Sequence, residues 1–336
     1  NFFQGTPLGM LDNGKTMTAD LFIDCTGFKS LLLGKTLDEE FIPLDDIIPN
    51  NMAWATHIEY TDKKKQLVPF TNSTAIGNGW VWNIPLWKNI GTGYVYSNKY
   101  ISDEEALEEF KNHLVNVKKY DIKNCKFKQI PMRVGIYRRL FVKNVCAIGL
   151  SAGFIEPLES NGLLTVHEFL IGLVVTLKRG YISQWDRDSF TYRCRQLFNT
   201  FAEFVSMHYA LSHRDDTKYW KDIQEKVFDK GVYKLEATQN LGFRLAMVQK
   251  MIDNDFSVSK YAGLHCIAVG MNWNPVEHEV FQYLNLTHFP NYKRFKEEIQ
   301  KLDDRKKRWL NEMKNCPDYY DYLKNEIYKL EHEMIP

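Results

Sequence analysis

The reading of this chain turns on residues 144–162: Asn144-Val145-Cys146-Ala147-Ile148-Gly149-Leu150-Ser151-Ala152-Gly153-Phe154-Ile155-Glu156-Pro157-Leu158-Glu159-Ser160-Asn161-Gly162. The first six residues are a nearly continuous apolar run closed by glycine, as in a buried strand that stops at a tight loop. Beyond Pro157, small residues open a long apolar segment that reads as a helix from about Gly162. A helix N-terminus offers unpaired N–H groups and the positive end of a dipole, so it can hold an anion without a cationic side chain. The plainer alternative is an N-cap by Ser160 or Asn161, with Glu156 and Glu159 complementing the dipole. Gly149 to Gly153 also matches GxSxG, which would place Ser151 on a nucleophile elbow. An elbow runs straight into its helix, and here Phe154 to Pro157 intervene. Asp186 and His208 follow in triad order, but residues so common carry little weight by order alone.

Upstream, Leu21-Phe22-Ile23-Asp24-Cys25 ends in Thr26-Gly27 and predicts a second buried strand. Asp12-Asn13-Gly14 reads as a hairpin turn. Strands are predicted at Met52–Tyr60, Gly79–Pro85 and Tyr94–Ser97. Gly77-Asn78-Gly79 and Gly91-Thr92-Gly93 lack the third glycine and following helix of a dinucleotide fingerprint, so both are expected to be hairpin turns. Lys63-Lys64-Lys65 reads as a solvated loop tip. Ser102 to Glu105 is a capping box, followed by Leu107, Phe110, Leu114 and Val117 at helical spacing. From Trp185 helical patterns dominate, with Phe198, Phe201, Phe204, Val205 and His208 on one face. Tyr320, Leu323, Ile327, Leu330 and Met334 form a last stripe. The expectation is a mixed α/β (α+β) unit over residues 1–183 and a mostly helical one over 184–336.

The chain has 336 residues, enough for two domains, and a net charge of +1. That balance provides no field for nucleic acid or an anionic membrane. Six scattered cysteines, without CxxC pairs or zinc-ligand spacing, predict reduced, buried thiols, no metal site and a cytoplasmic protein. The apolar run from Leu163 to Leu177 falls short of the ~20 residues that span a bilayer. Trp80 and Trp82 share one strand face; they read equally as a core ladder or as a wall beside a flat ring.

Four segments, in order, resemble the flavin-dependent tryptophan halogenase family. Asp20 to Phe28 resembles its second flavin motif, and Gly79-Trp80-Val81-Trp82-Asn83-Ile84-Pro85 its WxWxIP signature. Residues 144–162 resemble its flavin- and halide-binding stretch. Phe204 to Tyr209, with Arg214-Asp215-Asp216 and Trp220, resembles its HY…RDD…W segment. The resemblance implies the flavoprotein-monooxygenase FAD-binding fold followed by a helical substrate module. It implies a function too: an FADH2-dependent halogenase in which a flavin hydroperoxide turns halide into hypohalous acid. That species halogenates tryptophan, an indole or another electron-rich ring.

Residue by residue, the halide would rest on the Asn161 and Gly162 backbone N–H groups. Glu159 would orient the halogenating species or stabilise the ring intermediate, and Ser160 would hydrogen-bond in the connecting tunnel. Trp80 and Trp82 would separate flavin from substrate. Asp24 and Gly27 would serve the FAD loop, and Leu150 and Leu163 would touch the flavin. A flavin reductase is the implied partner, and a homo-oligomer is compatible with the family. The family's GxGxxG unit and a catalytic lysine precede these motifs. Neither is in this chain, and Lys29 and Lys35 follow the Asp24 motif, so neither stands in. The chain is therefore expected to begin in mid-protein, with part of its flavin site outside it. Asn161 replaces the family's usual Thr, which implies altered halide preference. The alternatives are a flavin-dependent aromatic hydroxylase and a non-catalytic, flavin-free binding module.

Overall fold

The computed structural model describes residues 17–227, 267, 270–271 and 292–329. The hairpin expected at Asn13-Gly14, Cys266, and the end of the last stripe, Leu330 and Met334, lie outside them. The two decisive apolar runs form neighbouring strands. β1 (Phe22–Asp24) pairs in parallel with β10 (Val145–Ala147), Asp24 opposite Ala147, and β9 (Phe141–Val142) adds an antiparallel edge. The carboxyl ends of β1 and β10 thus open side by side; β10 is buried throughout, but β1, at the sheet's edge among the described residues, leaves Ile23 exposed and is not the fully buried strand expected. Asp24 organises the turn after β1. Its buried carboxylate accepts from the Thr26 N–H and hydroxyl at 3.0 and 2.6 Å and from the Leu32 and Leu33 N–H groups, both at 2.9 Å. Gly27 takes φ +66° at the bend, a region that favours glycine.

The largest sheet is antiparallel. Its order is β4 (Asn72–Ile76), β5 (Gly79–Pro85), β6 (Ile90–Tyr96), β3 (Met52–Ile58) and β7 (Lys128–Pro131). Gly77-Asn78 turns β4 into β5, as expected. Gly91-Thr92-Gly93 is not a turn: it lies inside β6, and the β5–β6 reversal is closed by Leu86 N–H donating to Asn89 O at 2.9 Å. The reason is steric. A Cβ on Gly93 would run into the Trp82 ring and the Trp54 carbonyl, so glycine makes room for an indole lying across the neighbouring strand. A small third sheet joins β2 (Phe41–Pro43), β8 (Gly135–Tyr137) and β11 (Gly153–Phe154).

One face of the large sheet is covered by α2 (Asp103–Asn112), begun by the Ser102–Glu105 capping box; Phe110 and Leu114 pack there with Val81 and Tyr94. The other face contributes Ala53, Trp80 and Val95 to the main core. That core also takes Phe169 and Leu173 from α3 (Gly162–Leu177), Phe198 and Val205 from α4 (Gln184–Ala210) and Trp220 from α5 (Lys218–Val227). The outer side of α3 remains apolar and exposed, with Leu163, Leu164, Ile171, Val174 and Val175 bare.

The lysine run is not a free tip. Asp62 caps it into α1 (Lys63–Gln66); Lys63 Nζ lies 3.5 Å from the Trp87 ring centre, and Lys64 pairs with Asp321 at 2.7 Å. Two helices, α6 (Tyr292–Met313) and α7 (Tyr319–Tyr322), close the described chain. The buried-thiol expectation holds for Cys146 and Cys194, whose thiol pKa values burial pushes up, to about 12 for Cys194. It fails for Cys25 and Cys316, which are exposed: Cys25 lies one residue past the end of β1, outside the sheet.

Candidate functional site

A pocket of about 290 Å³ opens beyond β10, where the chain passes through β11 into α3. Gly149, Leu150, Phe154, Asn161, Gly162 and Leu163 line it. Four sequence-predicted residues, Leu150, Asn161, Gly162 and Leu163, thus share one cavity. Leu163 is 85% exposed on that opening.

The helix start departs from a plain N-cap. Ser160 adopts the left-handed conformation, φ 54°, and closes the Pro157–Glu159 turn by donating its N–H to Pro157 O at 3.1 Å, so it is not the N-cap of α3. Asn161 occupies the cap position, and its carbonyl accepts from the Thr165 N–H and hydroxyl, both at 2.9 Å. Its side chain caps nothing. The Asn161 Nδ2 group is buried without any hydrogen-bond partner, and the residue is only 5% exposed. An unmade hydrogen bond of this kind costs about 1–3 kcal/mol. The capping role weighed for these residues is therefore absent, and a free buried donor stands at the positive end of a 16-residue helix.

Ser151 is no nucleophile. It is fully buried, and its hydroxyl, with one proton to give, lies between the Asp24 carbonyl and Ile148 O, the latter at 2.9 Å. Ser30 Oγ in turn donates to Ser151 O at 2.9 Å. Ser151 thus ties the ends of β1 and β10 together and brings the Asp24–Gly27 loop beside the pocket wall. Asp186 caps the start of α4 and pairs with Arg179, whereas His208 lies near its far end. Those two positions are roughly 33 Å apart at the helical rise, so no Ser-Asp-His site forms.

Both carboxylates of the Glu156–Glu159 turn find partners on α4. His208 Nε2 lies 2.8 Å from Glu159 Oε1. The other ring nitrogen, Nδ1, faces the Phe204 and Val205 carbonyls, each at 3.2 Å. Both ring nitrogens therefore face oxygen atoms, which fixes the plane of the imidazole. Nothing adjacent in sequence pairs with Glu159; its partner comes from 49 residues on.

Glu156 is fully buried and accepts three hydrogen bonds: from Trp80 Nε1 at 3.1 Å, Asn50 Nδ2 at 3.0 Å and the Tyr209 hydroxyl. Tyr219 completes the cluster by donating to Asn50 Oδ1 at 2.9 Å. Burial pushes the Glu156 carboxyl up to about 7, against the opposing pull of these donors and of His208. Trp82 stands beside Trp80 on the same sheet face, ring centres 6.0 Å apart. The expected pair of indoles is present, and one of them is held by a carboxylate. Asn50 and Tyr219 were not legible as site residues, because they lie in no motif and meet only through the fold. The Arg214…Trp220 segment acts as a fastener: Thr217 Oγ1 donates to Gly77 O and Trp220 Nε1 to Ile76 O, both at 2.7 Å.

Among the described residues no cluster of side chains suits a metal ion, and no helix is long and apolar enough to cross a membrane. The tryptophan halogenase family model matches residues 8–282. Tryptophan 7-halogenase KtzQ of Kutzneria sp. (strain 744) is 37% identical over 220 residues, 66% of this chain and 40% of that protein. Tryptophan 7-halogenase RebH of Lentzea aerocolonigenes is 35% identical, over 63% of this chain and 39% of its own length. The chain thus spans about 40% of the length of the curated relatives it matches. Among solved structures, apo VirX1 is 34% identical with a TM-score of 0.78, covering 97% of this chain and 65% of that one. A tryptophan halogenase from Shewanella frigidimarina NCIMB 400 is 26% identical with a TM-score of 0.75, covering 93% and 57%.

Proposed function

The chain belongs to the tryptophan halogenase family, and from that premise we propose that it carries the halide-facing part of an enzyme that halogenates an electron-rich aromatic ring. The observation that carries the reading is the buried, unpartnered Asn161 Nδ2 at the start of α3, on the wall of the pocket beyond β10. An anion there would take the backbone N–H groups of Asn161 and Gly162 and find this amide as a further donor.

The residues present also fit FAD. Leu150 and Leu163 offer an exposed apolar wall, and the Asp24–Gly27 loop is fixed beside it. Reduced FAD, delivered by a flavin reductase, would supply with O2 the oxidising equivalent that converts halide to hypohalous acid. The rest is the work of side chains. Trp80 and Trp82 keep the aromatic substrate away from the flavin. Ser160 offers a hydroxyl on the path between the two compartments. Glu159 orients the halogenating species or stabilises the ring intermediate, and His208 sets its direction. Tryptophan, indoles and phenols are all substrates of the right chemistry.

The test uses the full-length protein with FAD, a flavin reductase, chloride or bromide and a panel of indoles and phenols. The expected product carries the halogen's isotope pattern in mass spectra. A hydroxylated product formed equally well without halide would make the protein a hydroxylase. Failure to bind flavin would make it a binding module.

A further inference from the structure

Glu156 is not among the residues that line the pocket, yet it is fully buried, accepts from three parts of the fold and reaches a fourth through Asn50. Trp80 comes from β5, Asn50 from the loop before β3, Tyr209 from α4, and Tyr219, through Asn50, from α5. All five residues are nearly or fully buried. Both oxygens of the Glu156 carboxyl are used, and among the described residues no lysine or arginine pairs with it. A buried carboxylate held only by neutral donors is costly compared with an apolar side chain of the same size. As plain cement the arrangement is a poor choice. What it provides is direction: an indole has one N–H, and an acceptor fixed at 3.1 Å sets the tilt of the whole ring.

We infer that Glu156 is a positioning residue that fixes the Trp80 indole, and through it the wall between the flavin and substrate compartments. The inference rests on the reading above for what the wall separates; the clamp itself rests on geometry alone. Glu156 shares its turn with Glu159, and the adjacent residues Tyr209 and His208 hold the two. One helix segment therefore sets both the wall and the reacting carboxylate. The titratable groups facing Glu156 are Tyr209 and His208 on α4 and Tyr219 on α5, with Glu159 on its own turn.

The clamp is tested first by the Trp80 indole N–H resonance in nitrogen-15 NMR, assigned by its loss in Trp80→Phe. In the unmodified protein it is expected to shift with pH as Glu156 titrates, and in Glu156→Gln to stay constant. Tyr209→Phe removes one donor to the carboxylate and leaves the side chain in place, so the midpoint should move upward. A resonance that ignores pH, or titrates identically in Glu156→Gln, overturns the inference. So does an unmoved midpoint in Tyr209→Phe.

The second arm measures product formed per flavin reoxidised in the full-length enzyme. Glu156→Gln and Trp80→Phe should each lower that ratio threefold or more, and the double variant no further, because both break one contact. Independent, additive losses would overturn the functional half. An unmodified enzyme that makes no halogenated product would remove the proposed function and leave the NMR result standing.

Discussion

His208 Nε2 approaches Glu159 Oε1 to 2.8 Å, while the other face of the same ring is held by main-chain carbonyls of its own helix. The ring cannot turn away without abandoning two carbonyl contacts, so Glu159 meets a ring edge of fixed direction. Glu159→Gln in the full-length enzyme should keep flavin reoxidation and lower halogenation at least tenfold, about 1.4 kcal/mol of transition-state stabilisation. His208→Phe should lower halogenation in the same direction, and the double variant should lose less than the sum of the two. Stopped-flow flavin reoxidation beside product analysis decides it. Equal loss of both rates in Glu159→Gln would make Glu159 structural.

Asn161 should govern the anion. Asn161→Asp keeps shape but replaces an amide donor by a carboxylate at the helix N-terminus, so halide-dependent product should fall at least tenfold by repulsion. Asn161→Thr keeps the backbone donors and should mainly reorder chloride, bromide and iodide. Competition assays with the three halides check both, and bromide-soaked crystals should show an anomalous peak beside the Asn161 and Gly162 N–H groups. An unchanged ranking in Asn161→Thr would remove the side chain from halide choice.

Glu156 predicts a pH dependence of stability. Its carboxyl is raised from the ordinary 4.5 to about 7 in the folded state. The folded protein therefore holds a proton that the unfolded chain has released between those values. Stability from this group is complete below pH 4.5, falls as pH rises through about 7 and is flat beyond. Urea unfolding of the unmodified protein and of Glu156→Gln across pH 5–8 (a range of about three units spanning the folded value) should show the downward slope reduced in the variant. Parallel curves would show that another group carries it.

Gly93→Ala should be costly for a residue in mid-strand, because its Cβ would enter the space of the Trp82 ring. A loss of about 1–3 kcal/mol is expected, with a changed tryptophan emission spectrum from the displaced indole. Denaturant titration followed by fluorescence measures both. An unaltered spectrum would mean that Trp82 has room to spare.

How much of this was legible beforehand depended on whether a residue's partner lay nearby in the chain. β10 could be read because a strand buried on both faces is a continuous apolar run, β1 because its apolar run is closed by Thr-Gly, and the capping box at Ser102 because its two halves are three residues apart. Gly91 to Gly93 misled because glycine signals turns and close packing with the same letter; only the Trp82 ring on the next strand tells them apart. Asn161 could be placed at a helix start, but its side chain's lack of a partner is a property of three dimensions. The partner of Glu159 is not legible because His208 is 49 residues away, and Asn50 belongs to no pattern at all. The membership of the family was legible from motifs; the clamp behind Trp80 was not.

Asp24 commits both carboxylate oxygens to four donors of its own loop, and Ser151 fastens that loop to the neighbouring strand end. A flavin seated there, as proposed, would meet a surface whose shape is already set. It forfeits little entropy in arranging the protein, so more of each contact survives as affinity. Such a surface also imposes a direction on evolution. Substitutions among the residues that touch the ligand can retune binding one at a time, whereas the aspartate that touches only its own chain has no conservative replacement: glutamate is a methylene too long, and asparagine trades one of the acceptors for a donor.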